Sequence, residues 1–155
     1  MKDTDLAWLA GIWDGEGSVM LYSRPVRESK LQITPALEVT NTDIHIMNKV
    51  REILENLGCN FSYTERTPGK SHHKVAFSLR TQNAKYIKTT LEAMLPYLIG
   101  NKKAYGETLL SFVSKRLLKA DAAGKPLKHT PYDEEDYEFV RSSTTTREAH
   151  QGVKI

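Results

Sequence analysis

The chain has 155 residues, with 22 lysines and arginines, 19 aspartates and glutamates and a formal net charge of +3. This length predicts one domain with a substantial core. No apolar run approaches the roughly 20 residues of a membrane span, and the N-terminus lacks a signal-peptide pattern. The single cysteine, Cys59, excludes an internal disulfide and fits a reducing compartment. We therefore expect an intracellular protein, in the cytoplasm of a prokaryote or in an organelle.

The charges are unevenly distributed along the chain. Residues 20–130 contain 18 lysines and arginines against 9 acids, a net of +9, whereas acids concentrate near the two ends. A basic middle segment fits a polyanionic partner, and it also fits an ordinary solvated surface. The charge pattern alone does not decide between these interpretations.

The first predicted element is a buried helix over residues 5–13, which are mostly apolar and lack proline. Gly11 and Gly15 lie four residues apart and therefore on one face, flanked by Ala10 and Asp14. A glycine inside a helix costs about 1 kcal/mol relative to alanine. Two such glycines predict the close approach of a second backbone at this face.

Two acids follow where this helix ends. Asp14 and Glu16 are poorly placed for the helix dipole, whose C-terminal end is negative, and a cation beside them would remove the conflict. The Glu16 carboxylate and the Gly15 carbonyl are hard oxygen ligands of the kind that suit Mg²⁺.

Alternating apolar and polar residues then predict a strand over 18–24, a polar turn over 24–30 and a second strand over 31–40. Pro35 cannot donate to the ladder, so it indicates an edge or a bulge there. Residues 41–43 offer a helix cap, and apolar residues at helical spacing continue to Gly58.

The second half repeats this order. We predict strands over 59–66 and 72–80 around a turn at 67–71, then helices over 83–95 and 101–119. Residues 120–130 have the composition of a linker. Thr130 and Pro131 predict the start of a short acidic helix to about Arg141, followed by a loose polar tail over 142–155. The predicted order is α-β-β-α-β-β-α, followed by further helix.

Residues 9–17 read Leu-Ala-Gly-Ile-Trp-Asp-Gly-Glu-Gly, and this segment resembles the signature motif of the LAGLIDADG homing endonucleases. Glu16 stands at the family's metal-binding acid. The order of elements over residues 5–118 agrees with a LAGLIDADG domain. The resemblance implies an α+β fold whose mostly antiparallel sheet forms a DNA-binding saddle, with C-terminal helices added. Residues 1–119 would form the endonuclease domain, and 120–155 the linker, acidic helix and tail.

The resemblance also implies a function. The chain has one copy of the motif, and cutting two strands needs two acids, so we expect a homodimer with Ala10, Gly11, Asp14 and Gly15 at the interface. The activity implied is site-specific double-strand cleavage of a long pseudo-palindromic DNA, with Mg²⁺ or Mn²⁺ as cofactor. Glu16 and the Gly15 carbonyl would hold the metal ion.

Further site residues are carried over from the family's pattern. Asn41 falls where the family has a solvent-ordering polar residue, and an N-cap role for Asn41 is as good an interpretation. The active-site lysine is either Lys102 or Lys103, because the register is ambiguous by one residue. The residues expected to read DNA on the strands are Tyr22, Arg24, Gln32, Thr34, Glu38, Arg66, Lys74, Ser78 and Arg80. The residues expected to contact phosphate or solvent are Lys70, Lys85, Lys88, Lys115, Arg116 and Lys119.

Two alternatives to a nuclease remain at this point. A non-cleaving nucleic-acid-binding protein on the same fold, such as an RNA splicing maturase or a regulator, would need the basic surface without the acid. A plain α+β interaction module would leave the glycines and the terminal acids of the first helix unexplained.

Overall fold

The computed structural model describes residues 1–25, 31–67, 69 and 72–151, and describes the backbone alone for residues 31 and 144–151. The predicted turns at 24–30 and 67–71 therefore lie largely outside the described residues, as do Lys70 and the end of the tail. The elements are α1 (Asp3–Glu16), β1 (Gly17–Pro25), β2 (Leu31–Asn41), α2 (Ile44–Asn56), β3 (Ser62–Arg66), β4 (Ala76–Thr81), α3 (Ala84–Met94), α4 (Asn101–Ala123) and α5 (Glu134–Gln151). The predicted α+β order is confirmed.

The four strands form one antiparallel sheet in the order β1-β2-β4-β3. Side chains alternate along a strand, so successive residues point to opposite faces of the sheet. Leu37, Val39 and Leu79 point toward the helices and are buried in the core. The polar residues between them lie on the opposite face, so the sheet has one covered and one open side.

The motif helix α1 is anchored in this core by Leu9 and Trp13, which are fully buried. The Trp13 ring packs edge-on against Phe61 with 6.2 Å between ring centroids. A Cβ atom at Gly17 would lie 2.4 Å from Cδ1 of Trp13. Glycine is therefore required where α1 turns directly into β1, because the indole occupies the space of a side chain.

Pro35 lies in a regular part of β2, paired with Leu21 of β1 without a bulge. Strand β4 pairs with β2 only from Leu37 onward, so Pro35 borders an open edge and the edge interpretation is correct. The hydroxyl of Tyr132 donates to the carbonyl of Ile33 at 3.2 Å. The segment before α5 thus satisfies one of the acceptors on this edge.

The C-terminal region is more helical than predicted. Helix α4 continues past residue 119 and ends at Ala123, before Gly124, which adopts φ +62°. Helix α5 begins at Glu134 rather than Thr130, because Asp133 and Asp136 exchange backbone and side-chain hydrogen bonds in a capping box. It continues to residue 151, since no glycine or proline interrupts it, so the prediction of a loose chain over 142–151 is wrong. The division of the chain at 119–120 stays a prediction.

Two residues expected to face phosphate or solvent are instead part of the interior contact between α4 and α5. Arg116 is buried, donates to Asp136 at 2.9 Å and to the carbonyls of Thr130 and Pro131, and lies over the Tyr132 ring. Lys119 contacts three acids around the start of α5: Asp133, Glu135 and Asp136. The expectation for these two residues is wrong because the acidic helix α5 folds back onto them.

No helix within the described ranges is long and apolar enough to cross a membrane.

Candidate active site

The end of α1 is joined to the start of α4 by Asp14. The Asp14 carboxylate accepts hydrogen bonds from the backbone N–H groups of Ile99, at 3.0 Å, and of Gly100, at 3.1 Å. Gly100 is the residue before the first turn of α4, where free N–H groups and the helix dipole favour an anion. Asp14 therefore has a structural contact within its own chain, and Glu16, the last residue of α1, is exposed beyond it.

Lys102 lies on the other side of the same junction. Its Nζ donates to the backbone carbonyls of Trp13 at 2.9 Å and Asp14 at 2.8 Å, both in the last turn of α1. Burial lowers the pKa of Lys102 below its usual value, against the opposing effect of the Asp14 and Glu16 charges. Lys102 therefore places a positive charge at the end of α1, and the binding of a metal ion by Glu16 stays a prediction. Lys103 is exposed, and the choice between the two lysines as the active-site residue stays a prediction.

Asn41 lies before α2 but does not cap it. Its Oδ1 accepts from the backbone N–H of Asp43 at 2.8 Å. Asp43 is the N-cap of α2, and its carboxylate accepts from the N–H groups of His45 and Ile46. The N-cap interpretation of Asn41 is therefore wrong, because the cap lies two residues later. A solvent-ordering role for Asn41 stays a prediction.

The open face of the sheet collects most of the residues expected to read DNA. The register places Tyr22 opposite Thr34, Arg24 opposite Gln32, and Glu38 opposite Arg80. Ser78 and Arg66 have the same strand parity and lie on this face too. Lys74 is exposed but precedes β4, so it lies beside the sheet rather than on it. We call this surface the polar sheet face. It consists of Tyr22, Arg24, Gln32, Thr34, Glu38, Arg66, Ser78 and Arg80, together with Thr40, Ser62 and Thr64.

A charged network occupies the middle of the polar sheet face. Arg80 Nη1 donates to Glu38 Oε2 at 2.6 Å, Ser78 Oγ donates to Glu38 Oε1 at 3.1 Å, and Arg66 Nη2 lies 3.8 Å from Glu38 Oε1. Burial raises the pKa of Glu38, but the hydrogen bonds from Arg80 and Ser78 and the two arginine charges outweigh it, so the pKa lies below its usual value. Ser78 is 2% exposed, and it cannot contact DNA without a rearrangement of its neighbours.

The residues expected at a dimer interface differ in their exposure to solvent. Gly11 and Gly15 are exposed on α1, and a Cβ at either would meet nothing within 4 Å. Trp8, one turn before Gly11, is also exposed. Ala10 is fully buried against the core, so its assignment to the interface is wrong: the helix turns this residue inward. Asp14 is partly buried by its contact with α4.

The chain also matches a known protein family. A family model described as the LAGLIDADG-like domain matches residues 3–94, which is more than half of the chain. The chain belongs to the LAGLIDADG family. Comparison with curated proteins gives no match.

Solved structures of homing endonucleases resemble this LAGLIDADG chain. I-CvuI in complex with its target, in the presence of calcium, is 26% identical, with a TM-score of 0.59 over 77% of this chain and 71% of I-CvuI. The group I intron-encoded enzyme I-CeuI, in complex with DNA, is 17% identical, with a TM-score of 0.56 over 78% of this chain and 59% of I-CeuI. I-SmaMI, bound to uncleaved DNA with calcium ions, is 18% identical, with a TM-score of 0.60 over 87% of this chain and 42% of I-SmaMI. The last two comparisons support the fold alone.

Sequence reasoning missed several members of the LAGLIDADG site. Ile99 and Gly100 bind Asp14 through their backbone N–H groups, and such a contact cannot be predicted from the residue types. Thr40, Ser62 and Thr64 share the polar sheet face, which their alternation with apolar neighbours indicates. No group of three or more His, Cys, Asp and Glu residues suited to a metal ion occurs in the part of the chain that the structure describes.

Proposed function

We propose that this protein is a site-specific double-strand DNA endonuclease that acts as a homodimer on a long pseudo-palindromic target. The observation that carries the proposal is the exposed Glu16 at the end of α1. It lies two residues beyond the Asp14 carbonyl that Lys102 binds, and directly before the strand that leads into the polar sheet face. A basic, hydrogen-bonding sheet face binds a duplex, and a carboxylate next to it supplies the ligand that phosphodiester hydrolysis requires.

The residues at the end of α1 fit Mg²⁺ or Mn²⁺. Glu16 is exposed. Lys102 donates hydrogen bonds to the carbonyls of Trp13 and Asp14, and the Gly15 carbonyl is the next one along the chain. A carboxylate and a carbonyl are hard oxygen donors. When bound, the metal ion would activate water and neutralise charge at phosphorus. Lys102 holds a positive charge near the same point, where it would stabilise the negative charge that develops as the bond breaks.

A second copy of the chain would complete the site. One subunit offers one Glu16, whereas two strands need two. Gly11 and Gly15 leave an open strip along α1 on which a second α1 can pack closely, and the exposed Trp8 supplies an aromatic side chain at the edge of this strip. The proposed interface therefore keeps Gly11 and Gly15 and adds Trp8. It leaves out Ala10, which is buried, and Asp14, whose carboxylate binds the start of α4.

The proposal is tested with a library of long inverted-repeat duplexes incubated with the protein in Mg²⁺ and, separately, in Ca²⁺. We expect double-strand cleavage in Mg²⁺ and binding without cleavage in Ca²⁺. Glu16→Gln should abolish cleavage and keep binding, because the amide is a poor metal ligand of the same shape. Glu107→Gln, which changes an exposed glutamate on α4, is the matched control and should cleave normally.

Two results would contradict this proposal. Full cleavage by Glu16→Gln would remove the assignment of the acid. Binding without cleavage in every divalent metal would instead favour a non-cleaving DNA-binding or RNA-binding protein on the same fold.

A further inference from the structure

Glu38 lies in the middle of the polar sheet face, yet its carboxylate is already occupied by the protein. One oxygen accepts from Arg80 at 2.6 Å, and the other accepts from Ser78 at 3.1 Å and faces Arg66 at 3.8 Å. The side chain is only 16% exposed. A carboxylate that reads DNA accepts from the amino group of cytosine. Here that contact would compete with a charge-assisted hydrogen bond, which is stronger than one to a neutral amine.

Arg80, in contrast, combines a fixed position with an exposed surface. Its Nη1 is directed at Glu38 and lies 4.0 Å from Sδ of Met20, and Tyr22 is a further partner of the guanidinium. The side chain still keeps 34% of its surface exposed on the open face. Glu38 and Met20 both meet Nη1, and this fixes the guanidinium through a single nitrogen. Nε and Nη2 form the parallel fork that matches O6 and N7 of guanine.

Arg66 is held less firmly than Arg80. Its side chain is 72% exposed and approaches Glu38 only through the 3.8 Å ion pair, with no shorter contact to that carboxylate. An exposed ion pair at this distance restricts a long side chain weakly. The orientation of Arg66 therefore depends little on Glu38, whereas that of Arg80 depends on it directly.

We propose that Glu38 is a positioning residue that holds Arg80 to read a guanine at one base pair in each half of the DNA target. This inference rests on the proposed function, because it requires a duplex on the polar sheet face. It replaces the direct base contacts predicted from the sequence for Glu38 and for Ser78. Ser78, which is buried, acts on the same base pair through its hydrogen bond to Glu38.

The test selects bound duplexes from a randomised inverted-repeat library with the full-length protein in Ca²⁺, and compares the base preferences of the wild type and four variants. The wild type should prefer guanine over each other base by about 10-fold or more at one position per half-site. Arg80→Lys keeps the positive charge and loses the fork, so this preference should fall to about 2-fold while overall affinity changes little. Glu38→Gln should weaken the preference at the same position by about 3-fold or more.

The other two variants are a second test, Ser78→Ala, and a control, Arg24→Lys. Ser78→Ala should weaken the preference at that same position, by less than Glu38→Gln does, and it tests the inference through a mild substitution if Glu38→Gln folds poorly. Arg24→Lys changes another arginine of the same face, whose Nε donates to Gln32 Oε1 at 2.9 Å. It should alter a different base pair and leave the Arg80 position unchanged.

The outcomes separate this inference from the proposed function. If Glu38→Gln changes the preference at a base pair that Arg80→Lys leaves intact, Glu38 reads a base itself and the inference is wrong. If Arg80→Lys reduces affinity for all sequences equally, Arg80 contacts phosphate and the inference is wrong while DNA binding stands. If no duplex is enriched by the wild type, the proposed function fails and this inference fails with it.

Discussion

Asp14 at the end of α1 and Lys102 at the start of α4 each bind the backbone of the other helix's terminus. The Asp14 carboxylate accepts from the N–H groups of Ile99 and Gly100 at the positive end of α4, and the Lys102 ammonium donates to the Asp14 carbonyl at the negative end of α1. Each charge therefore lies at the helix terminus that favours it. The two contacts hold the end of α1, and with it Glu16, in a defined position relative to α4.

This junction predicts different behaviour for the two neighbouring lysines. Lys102→Met should reduce the cleavage rate by about 10²–10³-fold, because it removes a positive charge near the reacting phosphate. It should also lower the free energy of unfolding by about 1–3 kcal/mol, since two carbonyls lose a charged donor. Single-turnover cleavage and urea denaturation measure the two effects.

Lys103→Met is the matched control, because Lys103 is exposed in the next position of the same helix turn. It should leave the free energy of unfolding within about 0.5 kcal/mol of the wild type. A cleavage defect in Lys103→Met larger than that in Lys102→Met would reverse the assignment of the active-site lysine.

Substitutions at Gly11, within α1, and at Gly17, directly after α1, should affect dimerisation and folding separately. Gly11→Val places a side chain where the subunit itself has open space, so the monomer should stay folded while the proposed dimer dissociates. Gly17→Ala places a Cβ 2.4 Å from the Trp13 ring, so it should destabilise the fold directly. Sedimentation equilibrium reports the first effect and thermal melting the second. A Gly11→Val protein that remains dimeric would place the interface elsewhere.

The ion pair between α4 and α5 should contribute strongly to the attachment of the C-terminal helix. Arg116 and Asp136 are both nearly fully buried and lie 2.9 Å apart. Arg116→Met leaves the Asp136 charge without its closest partner and should cost about 3–5 kcal/mol of unfolding free energy. The exposed pair of Arg51 and Glu55 on α2 is the control, and Arg51→Met should cost less than about 0.5 kcal/mol. Similar costs for the two variants would show that burial does not matter here.

The low pKa of Glu38 predicts a pH dependence of stability. Burial raises this pKa, but the hydrogen bonds from Arg80 and Ser78, together with the charges of Arg80 and Arg66, lower it by more than burial raises it. The pKa in the folded state therefore lies below the pKa in the unfolded state. The stabilising contribution is therefore present above the unfolded pKa and is lost as the pH falls through the folded value. The wild type should exceed Glu38→Gln in unfolding free energy by a constant amount at neutral pH, and the difference should shrink below about pH 4. Urea titrations across this range test it, and a difference that grows on acidification would contradict the prediction.

The sequence anticipated features that depend on local periodicity. Tyr22, Thr34 and Glu38 fall on one sheet face because strand side chains alternate, and no knowledge of distant contacts is needed to see this. Helix α2 was equally visible, since apolar residues at helical spacing and a following glycine mark it. The helix ends at Asn56, and Gly58 follows it with φ +78°. Ala10 was misplaced because helical spacing defines faces without saying which residue at a boundary turns inward.

The order of elements, the acid at the end of the first helix and the polar strand faces followed from the sequence by itself, because each depends on neighbouring residues. Only the tertiary structure showed that Lys102 binds the end of α1, that Arg116 is buried against α5, and that Glu38 binds Arg80. These contacts involve partners 88, 20 and 42 residues apart in the chain. A charged side chain has the same composition and spacing whether it faces solvent or a distant partner, so its role is decided by how the elements pack.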